Sequence, residues 1–176
     1  MELDKDKYKK TFNKFMKDKR IKKSSDIFKI RLFLKKAESS LQIAEHNKNY
    51  SPSIDEPDKL YWNYWAITIS YYSMLYAAKA AIHSKGYSIL DHDAAQIALG
   101  HLLVPNHIEK EDLLILEQSY KIFEDEYVKY FEDAKKESHI ARYSAIKTYT
   151  ERRLDEIFDN AVKFVGKISL MLSESI

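Results

Sequence analysis

The stretch HIARYSAIKTY brings His139, Arg142, Tyr143, Lys147 and Tyr149 close together in the chain. A guanidinium and an ammonium can hold a phosphate, an imidazole can move a proton near neutral pH, and a tyrosine can stack or hydrogen-bond. His139 stands three residues before Arg142, so a helix would put both on one face. Three readings are open: an active site, a ligand-binding lip, or a polar connection between two long helices. In the last, His139 and Arg142 cap or solvate a helix start while Tyr143 and Tyr149 fill core or dimer contacts.

A second group, His92, His101 and His107, shares one segment, and Asp91 and Asp93 flank its first member. Spacings of nine and six do not put two of these histidines on one helical face, so surface or capping roles are the simpler account. No glutamate stands three residues before a histidine, which excludes the Glu-x-x-His pairs of a di-iron bundle. There is no HExxH helix and no glycine-rich phosphate loop. The chain has no cysteine, so disulfides, thiolate zinc sites and cysteine nucleophiles are also excluded. No metal and no cofactor is expected.

The elements that must position these residues are helical. With 176 residues, three glycines and three prolines, one domain fits, and material for the turns of an all-β fold is scarce. After Ser24-Ser25-Asp26, a helix start, Ile27, Ile30, Leu34, Ala37, Leu41 and Ala44 form one apolar stripe. Pro52 and Pro57 mark Asn47 to Lys59 as a loop. From Tyr61 to His83 apolar or small residues occur on almost every face, and Lys79 is the only charged residue, which predicts a central helix buried on several sides. A membrane span is rejected there because Tyr71, Tyr72 and Tyr76 sit mid-segment. Among Tyr61, Trp62, Tyr64 and Trp65, core placement is preferred over a dimer interface.

Gly86 ends that helix, and Asp91 caps a short one through Ala94 to Leu99. Leu113, Leu116, Tyr120, Phe123, Tyr127, Tyr130 and Ala134 give a third stripe, and Leu154, Ile157, Ala161, Phe164, Ile168 and Met171 a fourth. The spacing predicts an all-α protein, an antiparallel four-helix bundle over residues 24–176, with a short helical insertion between the second and third long helices. Residues 1–23 form a basic arm or helix, with ten Lys/Arg against four Asp/Glu. Tyr8, Phe12 and Phe15 recur in it at helical spacing, and a solvated or docked helix is preferred over a nucleic-acid arm. MELDKDKYKK lacks a secretory apolar region, so a cytoplasmic location is expected, with no membrane association.

The run YYSMLYAAKAAIHSKGY, followed by DHDAAQIALG, resembles the HEPN family, helical domains named for higher eukaryotes and prokaryotes nucleotide-binding. The residues that carry it are Tyr71, Tyr72, Met74, Tyr76, Ala78, Lys79, Ala80, Ala81, Ile82, Gly86, Tyr87 and His92, and AKKESHIARYSA looks like the segment before the family's last helix. The resemblance spans about residues 25–172. It implies an antiparallel four-helix bundle that commonly forms a two-fold homodimer. It also implies metal-independent ribonucleases, often toxins paired with a nucleotidyltransferase antitoxin, or proteins of CRISPR and abortive-infection defence. Catalytic members carry Arg-x4-6-His at the start of the last helix. Here that motif is not present, because Arg142 is followed by Lys147 and Tyr149 where Arg-x4-His-x-Tyr would have histidine. Lysine, with an ordinary pKa near 10.4, shuttles protons poorly unless desolvated.

The sequence therefore leaves enzymatic activity open. The preferred expectation is a HEPN-like, nucleotide- or RNA-binding dimer in a defence or toxin–antitoxin setting, with a nucleotidyltransferase partner. Arg142 and Lys147 would hold phosphate, Tyr143 or Tyr149 would stack or donate a hydrogen bond, and His92 would join the ligand site. The alternatives are a metal-independent ribonuclease toxin using Arg142 with His139 or Lys147 as catalytic residues, and a protein-interaction module with no nucleic-acid role.

Overall fold

The computed structural model describes residues 4–24, 26–135 and 140–174, with side chains outside residues 126–149. The chain runs α1 (Lys5–Lys17), β1 (Ile21–Lys23), α2 (Ile27–Asn49), α3 (Lys59–Ser84), β2 (Tyr87–Ile89), α4 (His92–Leu102), α5 (Lys110–Lys135) and α6 (Ile140–Ser173). It is mostly helical, as expected, with the short α4 between the long α3 and α5.

α3 is the centre. α2, α4, α5 and α6 all pack on it, and Ile67, Met74, Ala77, Ala78, Ala81 and Ile82 are buried around nearly its full circumference. The small residues let neighbouring backbones approach closely: Ala37 and Ala44 on α2 and Ala161 on α6 are fully buried, as are Ala77 and Ala81 on α3. The whole stripe expected on the last helix, from Leu154 to Met171, is buried. On α2, Ile30, Ala37 and Ala44 are buried while Ile27, in the first turn, is exposed.

Polar side chains stop and start these helices. Asp58 accepts from the Leu60 amide at 3.0 Å and caps α3. Lys59 Nζ donates to the carbonyls of Asn47, Lys48 and Tyr50 at 3.0, 2.7 and 2.7 Å, closing the end of α2 that has no further helical donors. Gly86, at φ +80°, turns the chain after α3 in the left-handed conformation that a side chain would resist.

The amino-terminal segment is built into the body. α1 lies on α4 with Phe12 and Phe15 buried, Phe12 packs edge-on against Tyr87 and lies 4.6 Å from the His101 ring, and the lysines of α1 remain exposed. Packing therefore accounts for Phe12 and Phe15 without nucleobases. β1 pairs antiparallel with β2, Ile21 opposite Ile89 and Lys23 opposite Tyr87. This two-stranded ladder was not expected from the sequence; three residues are too few for an alternating pattern to register.

Tyr8 crosses α4 at Gly100 so closely that a Cβ there would meet the Tyr8 ring carbons at 2.2 and 2.4 Å. An alanine gains about 1 kcal/mol of helix propensity but forces the ring or α1 to move, at about 1–3 kcal/mol. Gly100→Ala is expected to lower stability by about 1 kcal/mol in the wild type, and to raise it by up to about 1 kcal/mol once Tyr8→Ala has removed the ring. Urea unfolding of the four-member cycle checks the reversal of sign.

Candidate functional site

The start of α4 is the best-organised polar locus among the described residues. Asp91 accepts from the Ala94 amide at 2.9 Å and caps the helix. Arg20, just before β1, reaches the same carboxylate through Nε at 2.7 Å and through a terminal nitrogen at 2.5 Å, and Asp93 at 2.8 Å. Its guanidinium also lies 4.0 Å above the Phe15 ring. The hydrogen bond from Arg20 holds the Asp91 carboxyl below the usual carboxylate range, and the two acids hold Arg20 protonated. The two acids that flank His92 are thus matched by a cation from the far end of the sequence.

His92 itself turns toward α3 and α5. Its Nδ1 is hydrogen-bonded to the hydroxyl of Tyr71, which is 1% exposed, and its ring stacks on Tyr120 with centroids 4.8 Å apart. Tyr71 in turn stacks on Phe123 at 5.0 Å and meets Tyr72 edge-on. Burial keeps the Tyr71 phenol protonated well beyond its ordinary range. A hydrogen bond to Glu124, followed by burial, pushes Tyr120 up to about 12. Burial also outweighs the Asp91 and Asp93 charges at His92, whose pKa falls below the ordinary 6.5. At neutral pH His92 is therefore a neutral, oriented imidazole in an aromatic wall, with Nδ1 already engaged. Asp91, Asp93 and Glu124 around it disfavour a phosphate at this point.

The other two histidines of the segment go elsewhere, His101 against Phe12 and His107 to Lys85 Nζ at 2.8 Å. Among the described residues no group of three His, Asp or Glu side chains is arranged to hold a metal ion. His139 lies outside the described residues. Arg142, Tyr143, Lys147 and Tyr149 fall in the first turns of α6, but their side chains also lie outside what is described. From Ile140 onward the stretch is helix rather than a connection between helices. Positions 142 and 149, two turns apart, recur on one side of α6, and position 147 does not. The tryptophan-rich start of α3 divides, with Tyr64 buried, Trp62 half-buried and Tyr61 and Trp65 exposed.

Sequence reasoning placed Asp91 as a cap and named His92, but missed Arg20, which it counted only as one charge of a basic arm. The paired acids at 91 and 93 were the available signal, because two carboxylates at one helix start call for a cation. No helix among the described residues is long and apolar enough to cross a membrane. The chain matches no protein-family model and no curated protein sequence.

With its folded pKa depressed, His92 is protonated in the unfolded chain first, so its contribution to stability is complete above pH 6.5 and is lost as pH falls through the folded value. His83 and His101 are shifted the same way by burial. Calorimetry is expected to give a lower Tm at about pH 5 than at about pH 7.5, and NMR titration to place the His92 midpoint below 6.5. A midpoint above 6.5 would contradict the burial argument.

Proposed function

We propose that this protein is a HEPN-like antiparallel four-helix bundle, formed by α2, α3, α5 and α6, that binds RNA or a nucleotide as a homodimer. Its setting is defence or a toxin–antitoxin pair with a nucleotidyltransferase partner, and it lacks the complete Arg-x4-6-His pair. The observation that carries the reading is the contact between Tyr71 and His92. These residues belong to separate parts of the resemblance, the aromatic helix and the histidine-bearing short helix, and they act here as one packed unit. The order of elements is also what the resemblance implies, with α4 between the second and third long helices. The exposed lysines of residues 5–23, on α1, the turn after it and β1, add sequence-independent attraction for a polyanion. In this reading Arg142 and Lys147 take phosphate and Tyr143 or Tyr149 stacks or donates a hydrogen bond.

The test combines binding and cleavage on a labelled RNA pool in EDTA, comparing wild type with Arg142→Ala. Binding is expected to fall steeply with salt and to weaken about tenfold or more in the variant, which corresponds to roughly 1.4 kcal/mol or more, without RNA cleavage. Binding that is absent or indifferent to salt would overturn the reading. Cleavage lost in Arg142→Ala would instead make the protein a divergent metal-independent ribonuclease.

A further inference from the structure

Among the described residues, one side of α3 is left uncovered. Along the open side Trp65, Tyr72, Tyr76 and Lys79 recur at helical spacing, with Trp65 62% and Tyr72 37% exposed. At one end of this row two cations converge on the aromatic rings. Lys36 Nζ lies 5.6 Å from the Tyr76 centroid and 6.0 Å from that of Phe33, and Lys79 Nζ lies 5.8 Å from Phe33. Phe33 stacks on Tyr76 at 6.3 Å and on the buried His83 at 5.3 Å.

Neither Lys36 nor Lys79 has a carboxylate within ion-pair distance among the described residues. Burial and the charge of Lys36 both push the Lys79 pKa down, and burial leaves His83 neutral as well. One phosphate would relieve both ammonium groups at once. Toward the other end a groove of about 550 Å³ is lined by Asn47, Pro57, Tyr61, Trp62 and Trp65, none of them charged. Lys79 and Trp65 are about 21 Å apart along the helix axis at 1.5 Å per residue, room for several nucleotides.

We propose that this face binds one single strand of nucleic acid, its phosphates held between Lys36 and Lys79 and its bases stacked on Tyr76, Tyr72 and Trp65. This rests on the nucleic-acid reading above and gives the strand a second contact region besides Arg142 and Lys147. A free anion would satisfy the lysines and leave the aromatic row exposed. An apolar protein surface would cover the row and leave the exposed Lys36 and the half-buried Lys79 without a counter-charge. A strand uses both, because stacking on aromatic rings and charge neutralisation along the backbone come together in one polymer.

The experiment measures binding of a labelled short oligouridylate as a function of salt, with uridine monophosphate and inorganic phosphate as competitors. The proteins are wild type, Lys36→Gln/Lys79→Gln and Trp65→Ala, each checked for folding by circular dichroism. The lysine pair is expected to bind at least about tenfold more weakly and to reduce the log–log salt slope by about 0.7, the value for the one phosphate the two lysines share. Trp65→Ala is expected to weaken binding about fivefold or more through the lost stack. On the wild type, photo-crosslinking from 4-thiouridine should label peptides within residues 59–84. If wild type binds but the lysine variant keeps its affinity and slope and crosslinks fall elsewhere, this site is overturned while the nucleic-acid function stands. No binding by wild type overturns both. Equal affinity for monophosphate and oligonucleotide, or dimerisation lost in Trp65→Ala, would give the face to a mononucleotide or to a second copy and overturn the strand.

Discussion

Burial of α3 on nearly every side is the constraint on which the other elements depend. A helix so enclosed must carry small residues where its neighbours cross, and alanines and serines occupy those positions, with Ser70 and Ser73 fully buried beside Ala77 and Ala81. Close approach leaves little volume for large side chains inside, so the aromatic residues of this helix are driven to the few directions left open. Tyr71 fills the wedge toward α4 and α5, and Tyr72, Tyr76 and Trp65 line the uncovered stripe. Packing thus decides which side of α3 escapes burial among the described residues.

The second organising interaction is Arg20 on Asp91 and Asp93. It ties the segment after α1 to the start of α4, beside the β1–β2 ladder, where the Leu90 amide donates to the Arg20 carbonyl at 2.9 Å. The ladder, the clamp and the Phe12 and Phe15 contacts act on the same junction, so α1 is fixed by charge, backbone pairing and apolar burial together. One consequence reaches His92. With Asp91 committed to the cap and to Arg20, the imidazole is left to the aromatic wall, where burial rather than the neighbouring acids decides its charge.

The two cationic regions then have different characters. Around α1 the lysines are solvated and spread over a surface. Lys36 and Lys79 are fewer but converge on one ring stack beside an exposed aromatic row.

The helices were legible from the sequence because periodicity acts within each segment. The stripe from Leu154 to Met171, the enclosed run after Tyr61, the left-handed Gly86 and the Asp91 cap need only local geometry, and the structure has each of them. Partnerships across the chain were not legible. Nothing local says that Arg20 will meet residues 91 and 93, that Tyr8 will lie against Gly100, or that Lys36 and Lys79 will share a ring. Those contacts arise only when helices far apart in the chain are packed side by side. The sequence by itself determined the apolar stripes of the long helices and the boundary signals at Gly86 and Asp91, but not that the stretch from Ile140 is helix. Tertiary structure alone decided which face of α3 stayed open and which charges are left without an ion pair among the described residues, because burial and charge pairing are properties of the assembled body and not of any one segment.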